Sequence, residues 1–189
     1  MLIIQSDEYK LLCLEAESIL IKAPAFPAYV FKERAPHHYF VTNDEALDWK
    51  LILNFASSYG DKTVKFLCLE PNGRDFWFSE QGHFGSFMMN VSDGEAKWNE
   101  NIDANCRNAL QTLRICSIRF LVWGTTGSWH LFCDLNWEAA VIGILQFPDN
   151  KPLSSGVPLK VISEMMKYWK NNRFQVDGER FDVMKDNYK

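Results

Sequence analysis

The spacing of apolar residues along this chain predicts several amphipathic helices. After Thr42, whose side chain can cap a helix start, Leu47, Leu51 and Phe55 recur every three or four positions until Gly60 offers a C-terminal stop. The same periodicity predicts three further helices, which lie over residues 7–22, over residues 102–116 and from Pro158 onward.

Short apolar runs between turn residues predict strands. Three of them are separated only by glycine-rich or polar turns, so we expect a meander at the heart of a sheet; they are residues 118–123, 128–134 and 137–144. Asn72-Gly73 can supply the positive φ angles of a tight hairpin turn. The remaining strand predictions are residues 29–31 and 38–41, residues 63–69 and 75–79 on the two sides of that hairpin, residues 86–89 within a long polar excursion at 80–100, and a C-terminal hairpin at 174–183.

Length and composition indicate the fold class. The chain has 189 residues, of which 47% are hydrophobic, enough to bury one substantial core without disulfides or metals. No repeat, low-complexity tract or linker divides it, so residues 1–189 are predicted to form a single domain. The element order predicts the α+β class, with a mostly antiparallel sheet and several helices packed on it. The sequence does not specify an oligomeric state.

Charge and cysteine content narrow the function classes. With 24 acidic residues against 20 Lys and Arg, the net charge is −4, which argues against nucleic acid as the partner. The five cysteines are odd in number and widely spaced, as is typical of reduced thiols in a cytoplasmic protein. The first residues lack a basic leader, and the longest apolar run, Ala139 to Leu145, is too short to cross a bilayer. We therefore expect a cytoplasmic protein with no membrane partner.

Residue patterns for catalysis and metal binding are incomplete. The sequence contains no Cys-x-x-Cys or His-x-x-x-His pair, and the adjacent His37 and His38 should point to opposite sides of a strand. His130 and Cys133 have opposite parity on one predicted strand, so neither is positioned to activate the other. We therefore expect no catalytic residue, no metal and no cofactor.

A small hydrolase-like enzyme is the alternative to a binding protein. Its site would lie near Cys133, Asp134 and Glu138, where two carboxylates flank a turn between strands and a thiol is close in sequence. Cys133 could also meet His83 or His38 from elsewhere in the fold. A concave pocket with converging polar groups would distinguish such an enzyme from a binding protein.

Acidic residues and one aromatic residue are the candidates for a partner-binding surface. Four acids lie in or beside the polar excursion and two at the predicted rim of the sheet: Asp93, Glu95, Glu100 and Asp103, and Asp134 with Glu138. A charged rim of this kind speeds encounter with a basic partner. Trp98 lies in the most polar stretch of the chain and is predicted to be an exposed aromatic anchor, the alternative being that it covers the protein's own core.

Residues 128–143, with the sequence SWHLFCDLNWEAAVIG, resemble a pattern of bacterial immunity proteins from polymorphic toxin systems. In several such families a Trp-containing strand turns through an acidic residue into an apolar strand. The resemblance implies a cytoplasmic inhibitor, encoded beside its cognate toxin, that occludes the toxin's active site or another essential surface. Such a protein needs no catalytic residues. The small net charge and the lack of a dense acidic tract differ from immunity proteins that mimic nucleic acid, so a nuclease target is not implied.

Overall fold

A six-stranded antiparallel sheet forms the centre of the protein. The computed structural model describes residues 1–104, 111–147, 159–172 and 178–188. The strands are β1 (His37–Thr42), β2 (Thr63–Glu70), β3 (Ser86–Asn90), β4 (Arg119–Gly124), β5 (Trp129–Asp134) and β6 (Ala139–Ile144). Their order is β1-β6-β5-β4-β2-β3, and every neighbouring pair is antiparallel. The predicted meander of β4, β5 and β6 is confirmed, and so is the α+β class.

Helices cover both faces of this sheet. They are α1 (Ser6–Ile19), α2 (Asn43–Ala46), α3 (Trp49–Tyr59), α4 (Gly94–Ile102), α5 (Leu113–Cys116), α6 (Ile162–Asn171) and α7 (Gly178–Asn187). The predicted helix between Thr42 and Gly60 is divided in two, because the Asp48 carboxylate accepts the Lys50 N–H and starts α3. Gly60 ends α3 with a φ of 72°, as expected. Among the described helices, none combines the length and the hydropathy that crossing a membrane requires.

Side-chain alternation along the strands divides the core into two layers. We call the side on which α2 to α5 pack the α3 face, and the side on which α1, α6 and α7 pack the α1 face. On β5, Leu131 and Cys133 belong to the α3 face, whereas Phe132 belongs to the α1 face. His130 contacts Phe31 on the α1 face, so the prediction that His130 and Cys133 point to opposite sides is confirmed.

The predicted hairpin at Asn72-Gly73 is wrong. Residues Gly73–Gln81 form a π-helical segment, and the antiparallel partner that β2 was predicted to find at residues 75–79 is β3. The Asn72 side chain accepts the N–H groups of Arg74 and Asp75, at 2.8 and 3.3 Å, and so caps this segment. Asparagine serves turns and helix starts equally well, so the local sequence did not distinguish them.

Three other element predictions need correction. The polar excursion contains α4, and α4 ends at Ile102, where a helix over 102–116 was predicted to begin; residues 105–110 of that prediction lie outside the described part. Of residues 29–31, only Phe31 pairs with another segment, through a single bridge to Leu20. The C-terminal hairpin is replaced by α7 from Gly178 onward, and residues 174–177 are not among those described.

A buried carboxylate holds the turn between β4 and β5. Asp61 is only 4% exposed, and its oxygens accept the Thr126 N–H at 2.6 Å and the Trp129 indole N–H at 2.8 Å. Gly124 packs directly on this carboxylate, since a Cβ added there would lie 2.1 Å from an Asp61 oxygen. The turn therefore requires glycine at position 124 for space.

Replacing Gly124 with alanine is expected to lower the free energy of unfolding by roughly 2 kcal/mol, because the new methyl group overlaps the Asp61 carboxylate. Urea denaturation followed by tryptophan fluorescence measures this change. Gly178→Ala is the matched control, since nothing lies within 4 Å of a Cβ at Gly178, and we expect its effect to stay within about 0.5 kcal/mol. Equal stability of the two variants would contradict the packing described here.

Candidate functional site

Four of the acids predicted to bind a partner are exposed along α4. Asp93 precedes the helix, Glu95 and Glu100 lie on it, and Asp103 follows it. Asp93 accepts the Asn90 N–H at 3.1 Å, and Glu100 pairs with Lys97 at 2.7 Å. Helix α4 therefore presents carboxylates at both of its ends.

Trp98 is buried, so the prediction that it is an exposed anchor is wrong. Its side chain is 0% exposed, and its indole N–H donates to the carbonyl oxygen of Leu47 at 2.9 Å. The rings of Trp49 and Phe87 lie 5.6 and 5.3 Å away. Trp98 therefore packs α4 against the core of the α3 face. This is the alternative considered above, in which Trp98 covers the protein's own core. The exposed acids of α4 lie on the outer side of the helix.

Asp134 is also buried, and it is not part of an exposed rim. Its side chain is 1% exposed; it accepts the Asn136 N–H at 3.1 Å and binds the Arg119 guanidinium at 3.1 Å. Arg119 in turn pairs with Glu70 at 2.8 Å. These contacts fix the turn after β5. Of the two predicted rim acids, Glu138 alone is exposed.

The structure does not bring Cys133, Asp134 and Glu138 together as one site. Cys133 and Asp134 point to opposite faces of β5, and Cys133 is 1% exposed. Burial raises the pKa of the Cys133 thiol well above its usual value, which favours the unreactive protonated form. Among the described residues, no group of three His, Cys, Asp or Glu side chains is close enough to hold a metal ion.

A concave surface borders the acids of α4. This surface, which we call recess A, has a volume of about 540 Å³ and is lined by Met1, Leu2, Ile4, His83, Glu100, Asn101, Asp103 and Ala104. Met1 and Ile4 are 81% and 61% exposed, so recess A combines exposed apolar groups with carboxylates. This is the composition of a protein-binding surface with an apolar centre and a polar rim.

Two buried polar side chains in the lining of recess A are unsatisfied. His83 Nδ1 accepts the Gly85 N–H at 3.0 Å, so the ring proton of the neutral imidazole is on Nε2. Within the described part of the chain, neither His83 Nε2 nor Asn101 Nδ2 has a hydrogen-bond partner. Both groups are donors, and buried donors without partners are costly to the folded state. Sequence patterns gave no sign of this pair.

A second, smaller recess lies beside the first. Recess B has a volume of about 220 Å³ and is lined by Asn43, Asp44, Leu47, Arg114, Ser117, Phe120, Cys133 and Leu135. The Arg114 guanidinium binds both carboxylate oxygens of Asp103, at 2.6 and 3.0 Å, and so joins the two recesses. This hydrogen bonding raises the pKa of Arg114 above its usual value. The backbone oxygen of Glu138 accepts the Asn43 N–H at 3.3 Å, which places Glu138 next to recess B.

The two recesses and their acids form one surface, which we call the acidic band. Its exposed carboxylates are Asp44, Asp93, Glu95, Glu100, Asp103 and Glu138. Lys97 and Arg114 partly neutralise Glu100 and Asp103, whereas Glu95 and Glu138 form no ion pair with any described residue. Sequence reasoning missed Asp44 and Arg114, because only the fold brings Arg114 into contact with Asp103 and into the same recess as Asp44. The band retains excess negative charge around two concavities, which suits a basic macromolecular partner.

Comparison with known proteins finds no relative of this chain. No protein-family model, no curated protein and no solved structure matches the chain. The geometry of the acidic band is therefore the basis on which a function is proposed.

Proposed function

We propose that the protein binds a bacterial toxin through the acidic band and neutralises it in the cytoplasm, as an immunity protein does. The observation that carries this proposal is the combination of exposed carboxylates with exposed apolar Met1 and Ile4 around one continuous pair of recesses. The sequence pattern at residues 128–143 supports the same class of function. Inhibition of this kind requires surface complementarity and no chemical step.

The charge of the acidic band determines the kind of toxin surface that fits it. A patch of Lys and Arg is attracted to the band before contact, which raises the association rate. Apolar side chains of the partner can then fill recess A against Ile4 and recess B against Leu135, which is 37% exposed. Toxins that act on anionic substrates carry basic active sites, so covering such a site would abolish their activity.

The ion pair between Arg114 and Asp103 is weak enough for a charged group of the toxin to replace one of its two members. The two side chains are 41% and 47% exposed, and exposed pairs contribute only about 0–1 kcal/mol to stability. A guanidinium of the toxin could therefore replace Arg114 on the Asp103 carboxylate at small cost to the fold. The released Arg114 could then bind an acidic group on the rim of the toxin surface.

Growth rescue tests the proposed function. The protein encoded by the adjacent gene is expressed in a susceptible cell, with and without this chain. We expect that protein to stop growth when it is expressed alone and the wild-type chain to restore growth. Continued growth arrest in the presence of the folded wild-type chain, for every neighbouring gene product that is toxic, would rule the function out.

Replacing Asp103 with lysine is expected to reduce rescue while leaving the fold intact, because the substitution removes one exposed ion pair and reverses a charge inside the band. The free energy of unfolding should change by less than about 1 kcal/mol. Glu17→Lys makes the same charge change on the exposed side of α1, outside the band, and should rescue as the wild type does. Equal rescue by both variants would place the binding surface elsewhere.

A further inference from the structure

A third recess lies on the α1 face, at the end of the sheet where β4 turns into β5. It has a volume of about 280 Å³, enough for a ligand the size of a free amino acid. Its lining includes Glu15 from α1, Phe31 and Glu33 from the following loop, Lys65 from β2, Trp123 from β4 and His130 from β5. Recess B is lined by residues of the opposite face, so the two sites are separate.

The register of the sheet places a row of aligned residues along the bottom of this recess. Lys65 pairs with Trp123, Trp123 with His130, and His130 with Gly143, so that these residues form one row across four strands. The absence of a side chain at Gly143 lets Phe31 lie beside His130, since a Cβ there would be 2.8 Å from the Phe31 ring. The neighbouring row, which contains Phe132 and Leu121, is apolar on this face from β1 to β2, and its one polar member, Ser86, lies on β3. Polar groups therefore enter the α1 face at this end of the sheet and line an open recess there.

His130 has unused hydrogen-bonding capacity. Its side chain is 7% exposed, and it makes no hydrogen bond with any residue that the structure describes; its closest aromatic neighbour is Phe31, with ring centroids 6.0 Å apart. Burial lowers the pKa of His130 to about 4, so the ring is neutral near pH 7 and offers one donor and one acceptor. His130 lies on the wall of the recess, and neither of its ring nitrogens is fully enclosed, so a ligand in the recess can reach them.

The charges of the lining determine the sign of that ligand. Lys65 is 13% exposed and is already paired with the Glu15 carboxylate at 2.5 Å; the same oxygen accepts the Trp123 indole N–H at 3.2 Å. Glu33 is exposed and forms no ion pair within the described ranges. Two carboxylates and one ammonium leave one negative charge in excess. The Lys65 ammonium already lies over the Trp123 ring, 5.9 Å from its centroid, so the Phe31 face is the one left to attract a further cation, whereas an anion would meet the excess negative charge.

We propose that this recess binds a small organic cation, in which an ammonium or guanidinium group is carried on a short apolar body. The cationic group pairs with Glu33 beside the Glu15 carboxylate, its N–H groups donate to the free nitrogen of His130, and the apolar body packs between Trp123 and Phe31. The same chemistry describes a free small molecule and a Lys or Arg side chain of a peptide. In both cases the cation occupies a hydrogen-bonding position of His130 that no described residue fills.

NMR titration at pH 7 with four probes that carry similar short alkyl chains tests the charge requirement. We expect n-butylammonium and n-butylguanidinium to shift the His130 ring and Trp123 indole signals at concentrations at least ~10-fold lower than 1-butanol, a ratio that corresponds to about 1.4 kcal/mol. Butyrate should cause no shift. N-acetyl-arginine amide distinguishes the sources: binding as tight as that of butylguanidinium indicates a peptide side chain, and weaker binding by at least ~10-fold indicates a free molecule. Both outcomes support a cation site, whereas equal shifts with butanol and the cations would overturn it.

A pair of charge-matched variants localises the effect. Glu33→Gln should weaken butylguanidinium binding by at least ~5-fold, and Glu17→Gln, which removes an exposed carboxylate of α1 outside the recess, should not change it. His130→Leu should also weaken binding, and denaturant titration establishes whether that variant is folded. Because Glu33 is exposed, Glu33→Gln is not expected to impair folding and keeps the test valid if His130→Leu fails to fold. Equal weakening by Glu33→Gln and Glu17→Gln would show that only the net charge matters and would reject the site.

Discussion

Lowering the pH from 7 to 5 is expected to reduce the free energy of unfolding by roughly 4 kcal/mol, with the half-buried His38 contributing least, well before the carboxylates are protonated. Burial lowers the pKa values of His38, His83 and His130 to about 4, with nearby Arg34 adding to the effect at His38. In the unfolded chain a histidine takes up its proton near pH 6.5. Stability is therefore complete above pH 6.5 and is lost as the pH falls from there toward 4.

Denaturant unfolding at half-unit steps between pH 7 and pH 5 measures this loss. With three histidines the slope should approach about 4 kcal/mol per pH unit, since each proton contributes about 1.36 kcal/mol. Replacing His130 with glutamine should reduce the slope by about 1.4 kcal/mol per pH unit, which is the contribution of one proton. A free energy of unfolding that is constant between pH 7 and pH 5 would contradict the burial of these rings.

Trp98→Ala is expected to be among the most destabilising single substitutions in the chain, with a loss of about 4 kcal/mol. The substitution removes a fully buried indole from between Trp49 and Phe87 and deprives the Leu47 carbonyl oxygen of its donor. Urea unfolding at pH 7 measures the loss. Truncating Phe78, whose side chain is 46% exposed, should lower the free energy of unfolding by less than half as much.

Trp98→Phe should recover part of the lost stability, because it fills most of the space but cannot donate to Leu47. A Trp98→Ala variant as stable as the wild type would show that α4 is not attached to the core in this way. The result matters for function as well. Lost binding by Trp98→Ala would reflect lost structure, so the acids of α4 are the residues to vary in binding experiments.

The parts of the fold that the sequence predicted are those determined by local pattern. The three strands of the meander consist of apolar runs bounded by clear turn residues, and their order along the chain is also their order in the sheet. Helix α4 was missed because only a few of its residues, among them Trp98 and Ile102, point inward, and the rest of its sequence is polar. At Asn72 two local structures compete for one residue, and the choice depends on tertiary contacts such as those of the buried Trp77.

Among the candidate site residues, too, those whose environment is set by the local sequence were predicted, and those whose environment is set by distant residues were not. The exposure of acids such as Glu95 and Glu100 was predicted correctly, because a charged side chain in a polar stretch of sequence is rarely buried. The burial of Asp134 depends on Arg119, a residue of the neighbouring strand, and could not be read from the residues around it. The pairing of Asp103 with Arg114, 11 positions apart, likewise depends on how the chain returns from α4 to α5.

The affinity for the product of the adjacent gene, which the proposed function identifies as a toxin, is measured by titration calorimetry and tests the central proposal that the acidic band is a binding surface. We expect the wild-type chain to form a saturable complex, and the double variant Glu100→Lys/Asp103→Lys to bind at least ~30-fold more weakly, a loss of about 2 kcal/mol. Glu17→Lys should bind as the wild type does, since Glu17 lies on α1 outside the band. A folded double variant that binds as tightly as the wild type would contradict the claim.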